Sequence, residues 1–253
     1  MEKLNRDEIF LIATRLDIKS LLNLSLCNKY IRQNVMRDEI WYHKSKGFPK
    51  FKLEKSSPFE TYKFLYDLTI VKSSLELAGD IIHLYSRETL VLRRALTQLP
   101  KGIGRLTNLK IICLYHNKLK EFPHTIHNLI NLQKLYLAVN LLIKIPKEIG
   151  NLVSLRELDI SDNCLIELPK EMGNLKNLEE LDLSSNFLKE IPKEFSQMSN
   201  LQILYLRNNQ LKCLPKELAD IPYLGKIFIR GNPDIEIPKE LSSKKNLRFL
   251  EKF

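Results

Sequence analysis

Five histidines (His43, His83, His116, His124, His127) and four cysteines (Cys27, Cys113, Cys164, Cys213) are the side chains of this 253-residue chain best suited to metal or nucleophilic chemistry. Their spacing supports neither. A zinc site draws its ligands from close pairs, and the chain has no CxxC and no HExxH. His124 and His127 fall on a turn of a repeat described below, where a solvated pair is the simpler reading. Gly102-Ile103-Gly104 is too short to cradle a phosphate, and neither a G-x-S-x-G nor a Walker sequence is present. The chain is therefore expected to be non-catalytic and to require no cofactor or metal. A second set of residues recurs in phase: Glu157 and Asp159 are followed 23 residues later by Glu180 and Asp182, with Tyr136, Tyr205 and Phe228 at the same phase as the aspartates. Carboxylates attract Lys or Arg and exposed aromatics anchor interfaces, so the chemistry implied is recognition.

The phase comes from a repeat. Leu109, Leu132, Leu155, Leu178, Leu201, Leu224 and Leu247 recur every 23 residues, and each of the first six opens the pattern L-x-x-L-x-L-x-x-N with leucine or a similar apolar residue. An asparagine column follows (Asn117, Asn140, Asn163, Asn186, Asn209, Asn232), then an apolar-Pro pair such as Ile145-Pro146 or Leu168-Pro169. Alternation at Leu158 and Ile160 places both on one face of a short strand, with Glu157, Asp159 and Ser161 on the other. A buried asparagine can bond backbone groups of its own and neighbouring coils. The proline then fixes φ and turns the chain to the convex side, where Ile149/Leu152 and Met172/Leu175 return to the core at helical spacing. No single unit can bury its leucines alone, so the units must stack.

This pattern resembles the 23-residue class of leucine-rich repeats. The implied fold is α/β, a solenoid with a parallel sheet on its concave face. Residues 109–246 hold six such units, and 247–253 a truncated C-terminal strand that closes the sheet edge. At the same spacing the preceding unit reads Ser86, Thr89, Val91, Leu96, Leu99-Pro100, Ile103 and Leu106, which fits only after Leu96. Residues 75–108 are accordingly a degenerate first repeat or N-terminal cap.

Before residue 72 the rhythm is absent and the apolar spacing becomes helical. The order Leu4-Asn5-x-Asp7, Ile9, Ile12, Leu16-Asp17, Leu21, Leu24, Asn28, Ile31, ending at Ile40-Trp41, resembles an F-box. The resemblance implies a small all-α domain over residues 1–45, followed by a partly helical linker over 46–74. It also implies contact of Leu4, Ile9, Ile12, Leu16, Leu21, Leu24 and Ile31 with a Skp-type adaptor that joins a cullin ubiquitin ligase. The downstream repeats would then choose a protein substrate for ubiquitination. Three positions depart from the family: Leu4-Asn5 replaces Leu-Pro, Asp17-Ile18 replaces Asp-Pro, and Ile31 stands for the usual Trp. The alternative is a scaffold resembling repeat proteins that bind phosphatases or small GTPases, with the helices serving only as a cap.

Composition bounds both readings. The chain carries 40 Lys+Arg against 30 Asp+Glu, net +10, with 44% hydrophobic residues. No apolar run approaches the roughly 18 residues of a membrane span, and the N-terminus lacks a signal-peptide core. Scattered cysteines suit a reducing compartment, so a cytoplasmic setting is expected, the nucleus or a host-cell cytosol being compatible with it. Residues 109–253 hold 21 basic and 18 acidic side chains, so most of the excess lies earlier, in part in Lys44, Lys46, Lys50, Lys52 and Lys55. That run reads as a solvated linker face, and nucleic acid is not an expected partner. The concave columns select the candidate target-binding residues: Tyr115, Tyr136, Glu157, Asp159, Glu180, Asp182, Tyr205, Arg207, Phe228 and Arg230. Their acidic middle favours a target that offers Lys or Arg.

Overall fold

The computed structural model describes residues 71–250 apart from 73, 77–85 and 94. The residues matched to the F-box, Leu4 to Ile31, lie outside the described residues. The chain divides into two compact units, 1–82 and 83–253. Of the first, the described part is a short helical turn in which the Leu75 N–H donates to the Val71 carbonyl at 3.0 Å.

The second unit is a stack of coils. Each contributes one three-residue strand: β1 (Thr89–Val91), β2 (Ile111–Cys113), β3 (Lys134–Tyr136), β4 (Glu157–Asp159), β5 (Glu180–Asp182), β6 (Ile203–Tyr205), β7 (Lys226–Phe228) and β8 (Arg248–Leu250). They form one parallel sheet in sequence order. Parallel neighbours require a crossover, and the coil itself provides it. Opposite the sheet, each proline from Pro100 to Pro215 holds φ between −57° and −70° and opens a five-residue 3-10 helix, as in Lys147–Asn151 and Lys170–Asn174. The helical spacing of Ile149 with Leu152 is thus met by the tighter 3-10 geometry, which suits such short pieces. Both residues are buried, as are Met172 and Leu175. Coils approach so closely here that a Cβ on Gly150 would stand 2.2 Å from the Glu171 carbonyl oxygen.

The asparagines run through the stack as a ladder of side-chain bonds. Asn163 Oδ1 accepts the Leu142 N–H of the preceding coil at 3.0 Å, while its Nδ2 donates to Leu137 O at 3.0 Å, Ile160 O at 3.2 Å and Ser161 O at 2.9 Å. Asn117, Asn140, Asn186, Asn209 and Asn232 repeat the arrangement. Each side chain satisfies backbone groups that the end of the strand leaves unpaired.

Two register details differ from the 23-residue reading. In the first coil the spacing shortens to 22: Leu90 pairs with Ile112, not Thr89. Leu90 and Leu92 therefore face the core and Val91 is exposed, because a slip of one residue exchanges the faces of a strand. The last coil shortens likewise, with Phe249 opposite Ile227 and Leu250 opposite Phe228. Apart from register, Ser161, expected on the solvent face, is buried. It lies just past β4, where its hydroxyl donates to Asp159 Oδ1 at 2.6 Å and its carbonyl accepts from Asn163, so its small side chain is tucked against the edge of the sheet.

Candidate functional site: the concave face

The pleat projects every second strand residue from the sheet, and the parallel register aligns these residues across strands. Tyr136 stands opposite Asp159, Asp159 opposite Asp182, Asp182 opposite Tyr205, and Tyr205 opposite Phe228. A second column places Lys134, Glu157, Glu180 and Ile203 side by side. The centre of the sheet is thus acidic and both sides of it are aromatic.

The aromatic residues are ordered by contact. Tyr115 and Tyr136 stack with ring centroids 5.4 Å apart. Tyr205 and Phe228 stack at 4.6 Å with ring planes only 12° apart. Arg207 covers this second pair, its guanidinium carbon 4.5 Å from the Phe228 centroid and 5.9 Å from that of Tyr205, within cation–π range. Arg93 lies 5.8 Å above the Tyr115 ring. Arg93 is a member of the face that the sequence reading missed, since a 23-residue count misplaces the first coil by one position.

The acids are held as well. Glu157 bonds Lys134 at 2.7 Å and accepts the Tyr136 hydroxyl. Burial pushes the Glu157 carboxyl up, but the hydrogen bonds from Lys134 and Tyr136 outweigh it and leave the group below its ordinary range. Burial, and after it the same contact, raises the Tyr136 phenol. Tyr205 is raised by burial and then by the Glu180 charge and hydrogen bond. Asp159 accepts from the N–H and hydroxyl of Ser161, and Asp182 from the Ser184 N–H at 2.8 Å. Burial raises Asp182 above the usual carboxylate range, Ser184 offsets this only in part, the Asp159 charge adds to it, and Arg207 works against it. Arg230, last of the candidates, is exposed at the aromatic side of the sheet.

A carboxyl raised by burial opposes folding when ionised. The folded-state value of Asp182 lies above the unfolded one, so its contribution is fully present below the unfolded value and is lost as pH rises through the folded value. Asp182→Asn is therefore expected to melt higher than wild type at pH 7, with the difference shrinking to nothing as the pH falls below the ordinary carboxylate range. Thermal unfolding followed by circular dichroism across that range checks it, and an equal or lower melting temperature for the variant at pH 7 would contradict the assignment.

Among the described residues no group of three or more His, Cys, Asp or Glu side chains could hold a metal ion. His124 and His127 lie on the 3-10 helix His124–Asn128, where His127 Nδ1 is 2.7 Å from the His124 carbonyl oxygen. No helix of the described residues is long and apolar enough to cross a membrane.

Comparison with known proteins places this architecture. A leucine-rich-repeat protein of Leptospira interrogans is 39% identical over 69% of this chain and superposes with a TM-score of 0.64. An internalin of Listeria monocytogenes is 23% identical over 68% of this chain with a TM-score of 0.55, a likeness of fold alone. A plant peptide hormone receptor, in complex with the peptide RGF2, is 29% identical over 67% of this chain with a TM-score of 0.57. The chain spans 45%, 49% and 29% of those three proteins, less than half of each. No curated protein matches it significantly. No F-box is found, and the family model of a leucine-rich repeat region matches residues 66–163 and 145–253. With stacked strands, asparagine ladder and family match in agreement over most of its length, the chain belongs to the leucine-rich-repeat family.

Proposed function

We propose that the chain is a non-catalytic recognition subunit whose concave face captures an extended segment of a protein target. The observation that carries this is the ordered pairing of Tyr205 with Phe228 beneath Arg207, beside the acidic centre formed by Asp159 and Asp182. Stacked aromatics and arginine supply anchoring area at low entropic loss, and the acidic centre selects a target with Lys or Arg. The plant receptor, a peptide-binding relative of the same fold, supports a peptide-like ligand.

The finer reading rests on residues 4–41. Their F-box-like order supports a role as substrate receptor of a Skp/cullin ubiquitin ligase in the cytoplasm, with Leu4, Ile9, Ile12, Leu16, Leu21, Leu24 and Ile31 as adaptor contacts. The protein would then supply proximity, and the ligase the chemistry. Co-purification of the tagged chain with a Skp-type adaptor tests it. Wild type is expected to retain the adaptor and Ile12→Asp to lose at least ten-fold in capture, with an unchanged circular dichroism spectrum. Absence of capture by wild type would remove the ligase assignment and leave a scaffold whose N-terminal residues serve another purpose.

A further inference from the structure

Beyond each strand the chain passes the ladder asparagine along one edge of the solenoid, and over three coils that edge changes character. The residue after the asparagine is Lys118, Leu141, Cys164, Phe187 and Gln210 in successive coils. Two residues further on stand Lys120, Ile143, Ile166, Lys189 and Lys212. Of the apolar members, Leu141 is 42% exposed, Phe187 48%, Ile143 52% and Ile166 57%. The intervening Leu142, Leu165 and Leu188 are buried, so these exposed side chains flank the core and do not belong to it. Backbone bonds from Leu141 N–H to Leu119 O, Cys164 N–H to Leu142 O and Phe187 N–H to Leu165 O, all 2.8–2.9 Å, fix the coils side by side along this edge. An apolar patch along this edge, with lysines at both ends, has the form of an interaction site.

Val139 adds an independent sign. It occupies the position before the asparagine, where every coil from the second to the sixth turns left-handed, with φ between 51° and 57°. The other occupants are His116, Asp162, Ser185 and Asn208, and the position passes to Gly231 in the next coil. A β-branched residue is strained in that conformation. Val139 is 38% exposed, so core packing gives little return for the strain. It stands two residues before Leu141 in the same coil.

We propose that this edge is a second docking surface, separate from the strand columns, for an amphipathic helix of another protein that carries acidic residues at both ends. The apolar span is bounded by Lys118 and Lys120 on one side and Lys189 and Lys212 on the other. Lys120 and Lys189 are three coils apart, about 14 Å at the spacing of neighbouring strands. A helix of roughly ten residues has that length. Its end carboxylates would meet the lysines, and its apolar face would cover Ile143, Ile166 and Phe187. Cys164, half-buried, stands between Leu141 and Phe187 in the column and has the smallest side chain of the three. Asp162, Glu167 and Glu190 lie between or beside the lysine ends, so the basic charge is confined to those ends and does not offer the continuous surface an anionic bilayer needs, while a second copy would bring the same lysine ends against one another.

Random 16-residue peptides displayed on phage and selected on the full chain, with counter-selection on Ile166→Lys/Phe187→Lys, test the proposal. Both positions are exposed, so the variant should keep the wild-type melting curve, and Ile143→Lys alone serves if it does not. Selected peptides are expected to carry three apolar residues at helical spacing between Asp or Glu ends. They should bind the variant at least ten-fold more weakly, and Lys120→Glu/Lys189→Glu several-fold more weakly at low salt. Peptides without acidic ends, or none that distinguish the variant, would overturn it. So would variant-sensitive sedimentation with phosphatidylserine vesicles, or a wild-type dimer in the ultracentrifuge that the variant abolishes.

Discussion

Asn163→Ala is expected to remove about 3 kcal/mol of stability, because it leaves a buried backbone donor and several carbonyls without partners at roughly 1–3 kcal/mol for each group fully orphaned. For a folded unit of this size, that lowers the melting temperature by on the order of 10 °C. The groups affected are the Leu142 N–H and the carbonyls of Leu137, Ile160 and Ser161, which belong to two coils. The loss therefore acts on the interface between repeats, the term that makes a solenoid cooperative. Asn163→Asp sharpens the test, since it keeps the oxygen but removes the donors and adds a buried charge. It should unfold at least as easily as the alanine variant at pH 7. Glu167→Ala, four positions away and exposed, should shift the melting curve by far less. Urea unfolding of the three variants checks the ordering, and an alanine variant within 1 kcal/mol of wild type would show that water replaces the ladder at no loss.

The middle of the fold was legible because its signal is redundant. At Leu158, Leu181 and Leu204 the spacing, the strand alternation and the following asparagine all indicate the same face, and all three are buried. At the ends the redundancy fails. Leu90 and Leu92 sit one residue away from the 23-residue count, beside the apolar Val91, so composition alone could not choose which of them faces inward. Arg93 was lost from the concave face for that reason. The aromatic columns could be read from period and alternation, but the stacking of Tyr205 on Phe228 and the position of Arg207 above them depend on rotamers that no spacing reports. The exposed edge was hidden in apolar runs: in Leu141-Leu142-Ile143 only the central residue is buried.

The second large effect is expected on recognition. Tyr205→Ala/Phe228→Ala should weaken capture of the protein target by about 100-fold or more, the consequence of losing two anchors at about 2 kcal/mol each less their coupling. Arg207 loses its aromatic support in the same variant, so the pair and the arginine act as one unit. Stability should change little by comparison, since both rings are half-buried and outside the leucine core. The double variant Tyr136→Ala/Tyr205→Ala should also lose capture, because it removes one ring from each stack. Under the proposed receptor role, neither should change adaptor capture, which that proposal assigns to residues before 45.

Photo-crosslinking from the concave face tests the central claim most directly. A benzophenone side chain is placed at Phe228, and for comparison at Lys170 on the exposed convex turn. The predicted result is a defined protein adduct from position 228, absent from position 170, and abolished when Tyr205 and Arg207 are replaced by alanine. Adducts from position 170 alone, or adducts from 228 that survive those replacements, would contradict recognition by the concave face.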